Sequence, residues 1–269
     1  MSSTNGGRAG FHSVLFYNNT RIVKATRERN KRINVKVTYI EKSKIQMLGL
    51  CLYEIPFVRG AWLFFESFII TWKINFVLIS ALFLLNIINW SSHEEVDSSL
   101  SPFIINFGTS IIYDYRFHFS LIMGFLLLSS LIIKTTNLGK YHGAEHMVDN
   151  AYEDSKNITF ANVINYSRIH PRCGTNIIVF VLIFYTLLYS FVDIIFLRFI
   201  LSFILAYEVY LLKNKKLSFF LKPVYRLGEV FQKYLFTSLP EKTHIEVAIA
   251  AYDKLLTEES KNESKSNKK

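Results

Sequence analysis

The sequence has few of the features that place a chain in a class at first sight. It contains only two cysteines, Cys51 and Cys173, which form no C-x-x-C pair. Both fall in segments predicted below to be cytosolic, so a structural disulfide is not expected. Neither a P-loop nor a G-x-G-x-x-G fingerprint is present, which argues against the common nucleotide-binding folds. Charged residues make up 19% of the chain, whereas soluble domains carry roughly a quarter. The cysteine count and the missing motifs argue against a disulfide-built or nucleotide-binding domain, and the low charge argues against an ordinary soluble domain.

Apolar residues, in contrast, are abundant and occur in long blocks. Hydrophobic residues make up 51% of the chain, with 24 Phe and 15 Tyr. A bilayer-crossing helix needs about 20 consecutive apolar residues. The blocks therefore predict a mainly α, polytopic membrane protein with about four transmembrane helices, at 74–90, 117–134, 175–197 and 198–212. The apolar segment 57–73 contains Arg59, Glu66 and Lys73, which predicts an interfacial helix instead.

Charge predicts how these spans would be oriented. The net charge is +10, and basic residues cluster before the first predicted span and after the fourth, while the connection between the first two is acidic. The positive-inside rule then predicts a multi-pass protein of the cell membrane with both termini cytosolic. Membrane lipid is an expected partner, nucleic acid is not, and an oligomer stays open. Residues 1–12 have no apolar core, so no cleavable signal peptide is expected.

The N-terminal segment predicts a small β element. Val14–Tyr17 and Arg21–Val23 flank Asn18-Asn19, a typical hairpin turn, and apolar residues alternate along 33–39. The alternative is a basic tail lying on anionic lipid. Six regions are predicted. They are a cytosolic basic segment (1–56), the interfacial helix with the first two spans (57–134), a cytosolic motif loop (135–174), the last two spans (175–212), a cytosolic C-terminal region (213–257) and a disordered tail (258–269).

The segment His142-Gly143-Ala144-Glu145-His146 carries the pattern H-x-x-E-H. Two histidines at i and i+4 on a helix point the same way and can reach one metal ion. Glu145 lies close enough to act on water beside that ion, as in inverted zinc motifs. Asp149 and Glu153 continue the same helical face. The alternative is a solvated polar face on a loop helix.

A second cluster is His170-Pro171-Arg172-Cys173-Gly174-Thr175. His170 or Cys173 could complete a ligand set with the two helical histidines, and Arg172 could hold a phosphate or carboxylate. The alternative is a set of interface anchors around a Pro-x-x-Gly turn. Glu208, in a predicted span, is expected to be a ligand, a proton carrier or a partner for Arg172, or to reach towards the interface.

Several of these segments together resemble the YqhQ-like family of bacterial membrane proteins. The resemblance rests on Tyr141–His146, Asn150–Glu153, Ser167–Thr175, Tyr207-Glu208, Ile245–Ala251, Ile55–Gly60 and Glu66-Ser67. It implies a predicted metal-dependent enzyme, without naming an activity or a substrate. The matching positions are His142, Glu145, His146, Glu153, His170, Arg172, Cys173, Glu208 and Glu246. The family typically opens with G-G-Q-A-V-I-E-G-V, and His12 stands here where that pattern has Glu.

The leading functional hypothesis is a membrane-embedded, metal-dependent hydrolase acting at the cytosolic membrane face. Zn²⁺ is the expected divalent metal, bound by His142 and His146, with Glu153 as third ligand and His170 as second choice. Glu145 would be the general base and Arg172 would bind substrate. Peptide and lipid-linked substrates both fit this hypothesis.

Two other classes of function stay open. A non-catalytic membrane scaffold or assembly factor would use the β element and the segment 245–256, where Ile245, Ala248, Ile249 and Tyr252 lie at helical spacing. That spacing fits a docking helix as well as a core helix. Transport is the third class, but four spans are few for a transporter unless the protein oligomerises.

Overall fold

A computed structural model of the protein describes residues 6–40, 52–70, 115–212 and 215–266, together with Thr4, Phe76 and Ser80. The chain divides into two compact units. The first comprises residues 1–47, 127–180 and 210–269, and the second comprises 48–126 and 181–209.

The first unit contains a four-stranded antiparallel sheet in the order β1-β2-β3-β4. Its strands are β1 (Gly6–Gly10), β2 (Ser13–Tyr17), β3 (Arg21–Arg27) and β4 (Ile33–Tyr39). Asn18 stabilises the turn between β2 and β3, because its Oδ1 accepts hydrogen bonds from the backbone N–H of Thr20 and Arg21, each at 3.1 Å. The prediction of a small N-terminal β element with an Asn turn is confirmed.

The rest of the described chain is largely helical. The α-helices are α1 (Val58–Ile70), α2 (Tyr115–Thr135), α3 (Asn137–Ser155), α4 (Phe160–Val163), α5 (Thr175–Leu187), α6 (Ile195–Leu211), α7 (Lys215–Phe231) and α8 (Lys242–Ser266). A 3₁₀ turn, Leu188–Ser190, follows α5, and a π-helical turn, Gln232–Phe236, follows α7.

The prediction of a polytopic membrane protein with about four transmembrane helices is wrong for the described residues. No helix among them combines the length and the apolar character needed to cross a bilayer. Helix α5 has 13 residues and α6 has 17, so at 1.5 Å per residue they extend about 20 and 26 Å, short of the ~30 Å hydrocarbon core. The first predicted span, 74–90, lies almost entirely outside the described residues.

The break between α5 and α6 has a local cause within the second unit. The buried Arg198 donates from Nε to the carbonyl of Val192 at 2.8 Å, and its guanidinium lies 4.7 Å from the centre of the Tyr189 ring. These contacts satisfy a carbonyl that has left the helical hydrogen-bond pattern. The apolar run 175–197, predicted as one span, is therefore interrupted at the 3₁₀ turn.

Glu208 has a structural role that its sequence position did not reveal. It accepts hydrogen bonds from the Arg59 Nε and the Phe57 N–H, both at 2.8 Å. These bonds hold the start of α1, where Phe57 has a positive φ of 64°. The Arg59 hydrogen bond holds the pKa of Glu208 below its usual value. Its ion-pair partner is Arg59, not the predicted Arg172.

The core of the first unit forms between the sheet and two helices. Val14, Phe16, Val23 and Ala25 lie on the covered face of the sheet, and all are fully buried. Helices α3 and α8 pack on this face, and the Phe16 and Tyr252 rings meet edge to face at 4.8 Å. Burying such large side chains stabilises the unit by roughly 1.5–3 kcal/mol each.

Helix α8 answers two expectations about the C-terminus. Its apolar face, with Ile245, Ala248 and Tyr252, is buried in this core. Of the two possibilities left open for this segment, a docking helix and a core helix, the structure has the core helix. The helix continues to Ser266, so the predicted disordered tail is helical over 258–266. Glu258 forms ion pairs with Lys254 and Lys261, at i,i+4 and i,i+3 spacing, and such pairs add modestly to helix stability.

Candidate metal centre

Helix α3 positions the main candidate residues. It begins after Thr136, whose hydroxyl accepts a hydrogen bond from Leu138 N–H at 3.4 Å, and it ends at Lys156, with φ of 57°. One face packs into the core through Tyr141, Ala144, Val148 and Ala151. The adjacent face carries the polar residues of the motif. Because apolar residues fix the rotation of the helix, the polar face is fixed as well.

The polar side chains form two groups rather than one. His142, His146 and Cys173 have ligand atoms within 4.8 Å of one another, and so do Asp149, Glu153 and His170. Seven residues separate His142 from Asp149, a rise of about 10 Å along the helix. One ion with ligands about 2 Å away cannot be reached by all of these residues. We call the two sets the His–Cys group and the carboxylate group.

Hydrogen bonds fix the tautomers of both histidines in the His–Cys group. The Nδ1 of His142 lies 2.8 Å from the carbonyl oxygen of Phe236, and the Nδ1 of His146 lies 2.7 Å from that of Arg168. A carbonyl oxygen only accepts, so each Nδ1 carries the proton. Each Nε2 then has a free lone pair. Orientation of this kind is typical of metal-binding histidines.

Cys173 completes the His–Cys group. Its Sγ lies 3.7 Å from His142 Nε2 and 3.2 Å from Thr175 Oγ1. Burial alone raises the pKa of the Cys173 thiol, but when His146 is protonated its hydrogen bond and charge, together with the Thr175 hydrogen bond, outweigh burial and hold that pKa below its usual value. Two imidazole nitrogens and a thiolate suit Zn²⁺ and leave a fourth position for water or substrate. The donor set therefore fits a zinc ion.

The loop that brings Cys173 to α3 is held by buried amides. The His170 N–H donates to Gln232 Oε1 at 2.8 Å, and Asn176 Nδ2 donates to the Pro171 carbonyl at 2.8 Å. Gln232 and Asn176 are themselves hydrogen-bonded at 3.3 Å. This network tethers both ends of 170–176. It holds Cys173 in place although 27 residues separate it from His146.

The carboxylate group has a different hydrogen-bond pattern. His170 Nδ1 accepts from the Arg172 backbone N–H at 3.2 Å, so the proton of a neutral His170 is on Nε2. That nitrogen lies 3.4 Å from Asp149 Oδ2, and no described residue hydrogen-bonds to it. Burial lowers the pKa of His170 to about 4. A protonated Nε2 cannot ligate a metal.

Arg172 and Asp149 complete the carboxylate group. The Arg172 guanidinium pairs with Asp149 Oδ2 at 3.0 Å and with Glu153. Asp149 Oδ1 also accepts from Thr4 Oγ1 at 3.0 Å and from the Tyr252 hydroxyl at 3.4 Å. Both Asp149 oxygens are thus engaged by the protein, and an arginine already supplies the positive charge. This group fits a structural ion-pair network better than a second cation.

Glu145 lies between the two groups and is deeply buried. Its Oε2 is 3.6 Å from His146 Nε2, and 6% of the residue is exposed. Burial, reinforced by Asp149, raises the pKa of Glu145 to about 7, although His142 and Arg172 act in the opposite direction. A carboxyl group with a pKa near neutrality can both accept and donate protons at physiological pH.

Strand β1 covers Glu145. A Cβ atom at Gly7 would lie 2.2 Å from Glu145 Oε1, so only glycine fits while this carboxyl keeps its place. A pocket of about 260 Å³ opens beside it. Its lining includes Gly6, Gly7, His142, Glu145, His146 and Cys173. A substrate group in this pocket would contact the strand and the His–Cys group together.

The structure brings together part of the predicted site. His142, His146 and Glu145 meet as the motif predicts, while Glu153, His170 and Arg172 lie in the neighbouring carboxylate group. Cys173, weighed but not chosen as third ligand, joins the histidines, and Gly7 was missed because its role depends on a close approach. His12 lies in the β1–β2 turn and lines a separate cleft with Tyr141 and His244.

Comparison with known proteins supports the resemblance at the level of sequence. Residues 76–258 match the model of the family described as "Protein of unknown function (DUF1385)". The chain is 33% identical to the uncharacterized protein YqhQ of Bacillus subtilis (strain 168) over 156 residues, 55% of this chain and 49% of that protein. The chain thus covers about half the length of this relative. No solved structure matches it.

Proposed function

Since this chain belongs to the DUF1385 family, described as proteins of unknown function, we propose a function from its geometry: it is a zinc-dependent hydrolase. The observation that carries the proposal is the His–Cys group. His142, His146 and the buried Cys173 each offer one ligand atom, and these atoms lie within 4.8 Å of one another. Glu145, with a pKa of about 7, lies beside them.

The proposal assigns His142, His146 and Cys173 as the zinc ligands. Cys173 replaces the expected third ligand, Glu153 or His170, because those side chains are engaged with Arg172 and Asp149. Zinc bound in this way would lower the pKa of a water molecule to about 7 and polarise a substrate carbonyl.

Glu145 would be the general acid and base. It would accept a proton from the attacking water and pass it to the leaving group, a role that typically contributes 10²–10⁴-fold in rate. Burial keeps the pKa of Glu145 near neutrality. A glycine at position 7 leaves room for the Glu145 carboxyl. Arg172 would be a positioning residue, since it pairs with Asp149 and Glu153 at the edge of the pocket.

Metal content tests the ligand assignment. The purified protein should hold about one zinc per chain, and a His142→Ala, His146→Ala variant should hold none. His12→Ala is the matched control, because this exposed histidine lies outside the site and its loss should leave the zinc content unchanged. Equal, negligible zinc in wild type and variant would refute the proposal.

Turnover tests the role of Glu145. A panel of p-nitrophenyl esters and peptide p-nitroanilides would report hydrolysis by the zinc-loaded protein. Glu145→Gln should keep the zinc and lose about 100-fold or more in rate, because the side chain keeps its shape and loses its proton chemistry. Full activity in this variant would exclude Glu145 as the general base.

A further inference from the structure

Strand β1 lies at one edge of the sheet and is unusually poor in side chains. It pairs with β2 on one side, and no strand among the described residues pairs with its other side. Its sequence is Gly6-Gly7-Arg8-Ala9-Gly10, with three glycines in five residues. Glycine weakens a strand interior, and it often marks a site where another backbone approaches closely. At Gly7 the close neighbour is the Glu145 carboxyl, so this edge strand lies directly against the candidate metal centre.

The direction of the β1 peptide groups follows from hydrogen bonds on the far side of β2. Asn18 N–H donates to the Arg21 carbonyl and Arg27 N–H donates to the His12 carbonyl, so even-numbered residues of β2 face β3. Odd-numbered residues of β2 then face β1, where Ser13, Leu15 and Tyr17 pair with Gly10, Arg8 and Gly6. By alternation, the N–H and C=O groups of Gly7 and Ala9 point away from the sheet.

Of these two residues, Gly7 lies at the candidate metal centre. Gly7 lies directly above Glu145, and Gly6 and Gly7 line the same pocket as His142, His146 and Cys173. Across the described residues, no hydrogen bond from another segment engages Gly7 or Ala9. A strand added to this edge would lie about 4.8 Å from β1. Because Gly6 and Gly7 line the pocket, such a strand would lie beside it.

We propose that β1 binds an extended peptide as an additional strand and presents one of its peptide bonds to the His–Cys group. Main-chain hydrogen bonds from Gly7 and Ala9 would supply affinity. This inference rests on the proposed hydrolase and names its substrate class. Hydrolysis adds the water oxygen to the carbonyl carbon, breaks the C–N bond, and moves one water proton through Glu145 to the leaving nitrogen.

A binding experiment without turnover tests this inference. The zinc-loaded full chain with Glu145→Gln is titrated into a fluorescent pool of random eight-residue peptides, and binding is followed by anisotropy. A matched pool carries N-methyl groups on alternate residues, which remove donors and prevent strand pairing. We expect the unmodified pool to bind at least about tenfold more tightly. Equal binding of both pools, or binding of neither, would overturn the inference.

A pair of protein variants locates the contact. Ala9→Pro removes an outward N–H of β1 without breaking a β1–β2 hydrogen bond, and proline is tolerated at such edge positions. We expect it to weaken binding of the unmodified pool about tenfold. Val37→Pro is the matched control, since by the same alternation its N–H points away from β3 at the opposite edge. Circular dichroism checks that both variants fold, and equal binding by both would refute the location.

The outcomes separate this inference from the proposed function. Zinc content is measured on the same samples. Zinc without peptide binding would refute the peptide inference and leave the hydrolase intact. Peptide binding at β1 without zinc would refute the hydrolase and leave the strand-binding edge.

Discussion

The His–Cys group and the carboxylate group are adjacent, and both include imidazole rings, yet their chemistry differs. In the first, each Nδ1 faces a carbonyl oxygen, so Nε2 is left with a lone pair. In the second, the His170 Nδ1 faces an N–H, so Nε2 carries the proton. The rings of His146 and His170 are only 5.5 Å apart. The partner of one ring nitrogen thus decides whether the other nitrogen of a histidine is able to bind a metal ion.

Charge reinforces this difference between the groups. Arg172 lies against Asp149 and Glu153, so the carboxylates have a cation from the protein itself. The His–Cys group has no arginine or lysine paired with it among the described residues, and its thiol has a lowered pKa. A divalent ion would therefore be attracted to the first group and repelled by the guanidinium in the second.

The test with the largest expected effect replaces one residue in each group and compares the zinc affinities of the two variants. Structural zinc binding is worth about 10–16 kcal/mol, so loss of one of three ligands should cost about 4 kcal/mol. We expect Cys173→Ala to weaken zinc binding by about 1,000-fold, and His170→Gln to change it less than tenfold. Competition with a chromophoric chelator measures both constants. Similar losses in the two variants would show that the groups act as one site.

The second test moves Glu145 without changing it. Gly7→Ala places a methyl group 2.2 Å from Glu145 Oε1, so the carboxyl must leave its position. We expect hydrolysis to fall about 100-fold, the lower end of the general acid–base contribution, with zinc retained. In the control Gly10→Ala, the new Cβ meets the Ser13 hydroxyl at 2.6 Å, which can rotate away. Equal activity of the two variants would contradict the assigned role of Gly7.

The smallest effect concerns a buried histidine outside both groups. Burial lowers the pKa of His244, opposed by Glu241 and assisted by Lys140 and Arg27. The unfolded chain therefore binds a proton at higher pH than the folded protein does. Stability should fall as the pH drops from the ordinary histidine pKa of about 6.5 towards the lower folded value.

Replacement of His244 checks this sign. His244→Gln should flatten the decline in the free energy of unfolding, measured by urea denaturation between about pH 7 and 5. The exposed His12→Gln variant should keep the original slope. An unchanged slope in His244→Gln would show that another group titrates in this range.

The motif could be predicted because its chemistry is local. Helical spacing alone places His142 and His146 on one face, and the Asn turn alone indicates the β2–β3 hairpin. The choice between His170 and Cys173 could not be made this way. Both lie on one short loop, and the selection depends on Gln232, which is distant in sequence and hydrogen-bonds to His170 and Asn176.

The prediction of one span over 175–197 was wrong for a related reason. A hydropathy pattern shows how many apolar residues follow one another along the chain, but it does not show where a helix ends. Arg198 and the 3₁₀ turn end the helical run after Leu187, and the resulting α5 and α6 are shorter than a bilayer requires. The apolar composition of 175–197 was read correctly, but the length of its helix was not.

The sequence by itself determined the small β element, the helical character and a pair of histidines one turn apart, because backbone periodicity and turn chemistry act over a few residues. Only the tertiary structure decided which third residue joins that pair, which tautomer each imidazole adopts, and that Gly7 must lack a side chain above Glu145. Those properties depend on contacts between segments far apart in the chain, and no local pattern carries them.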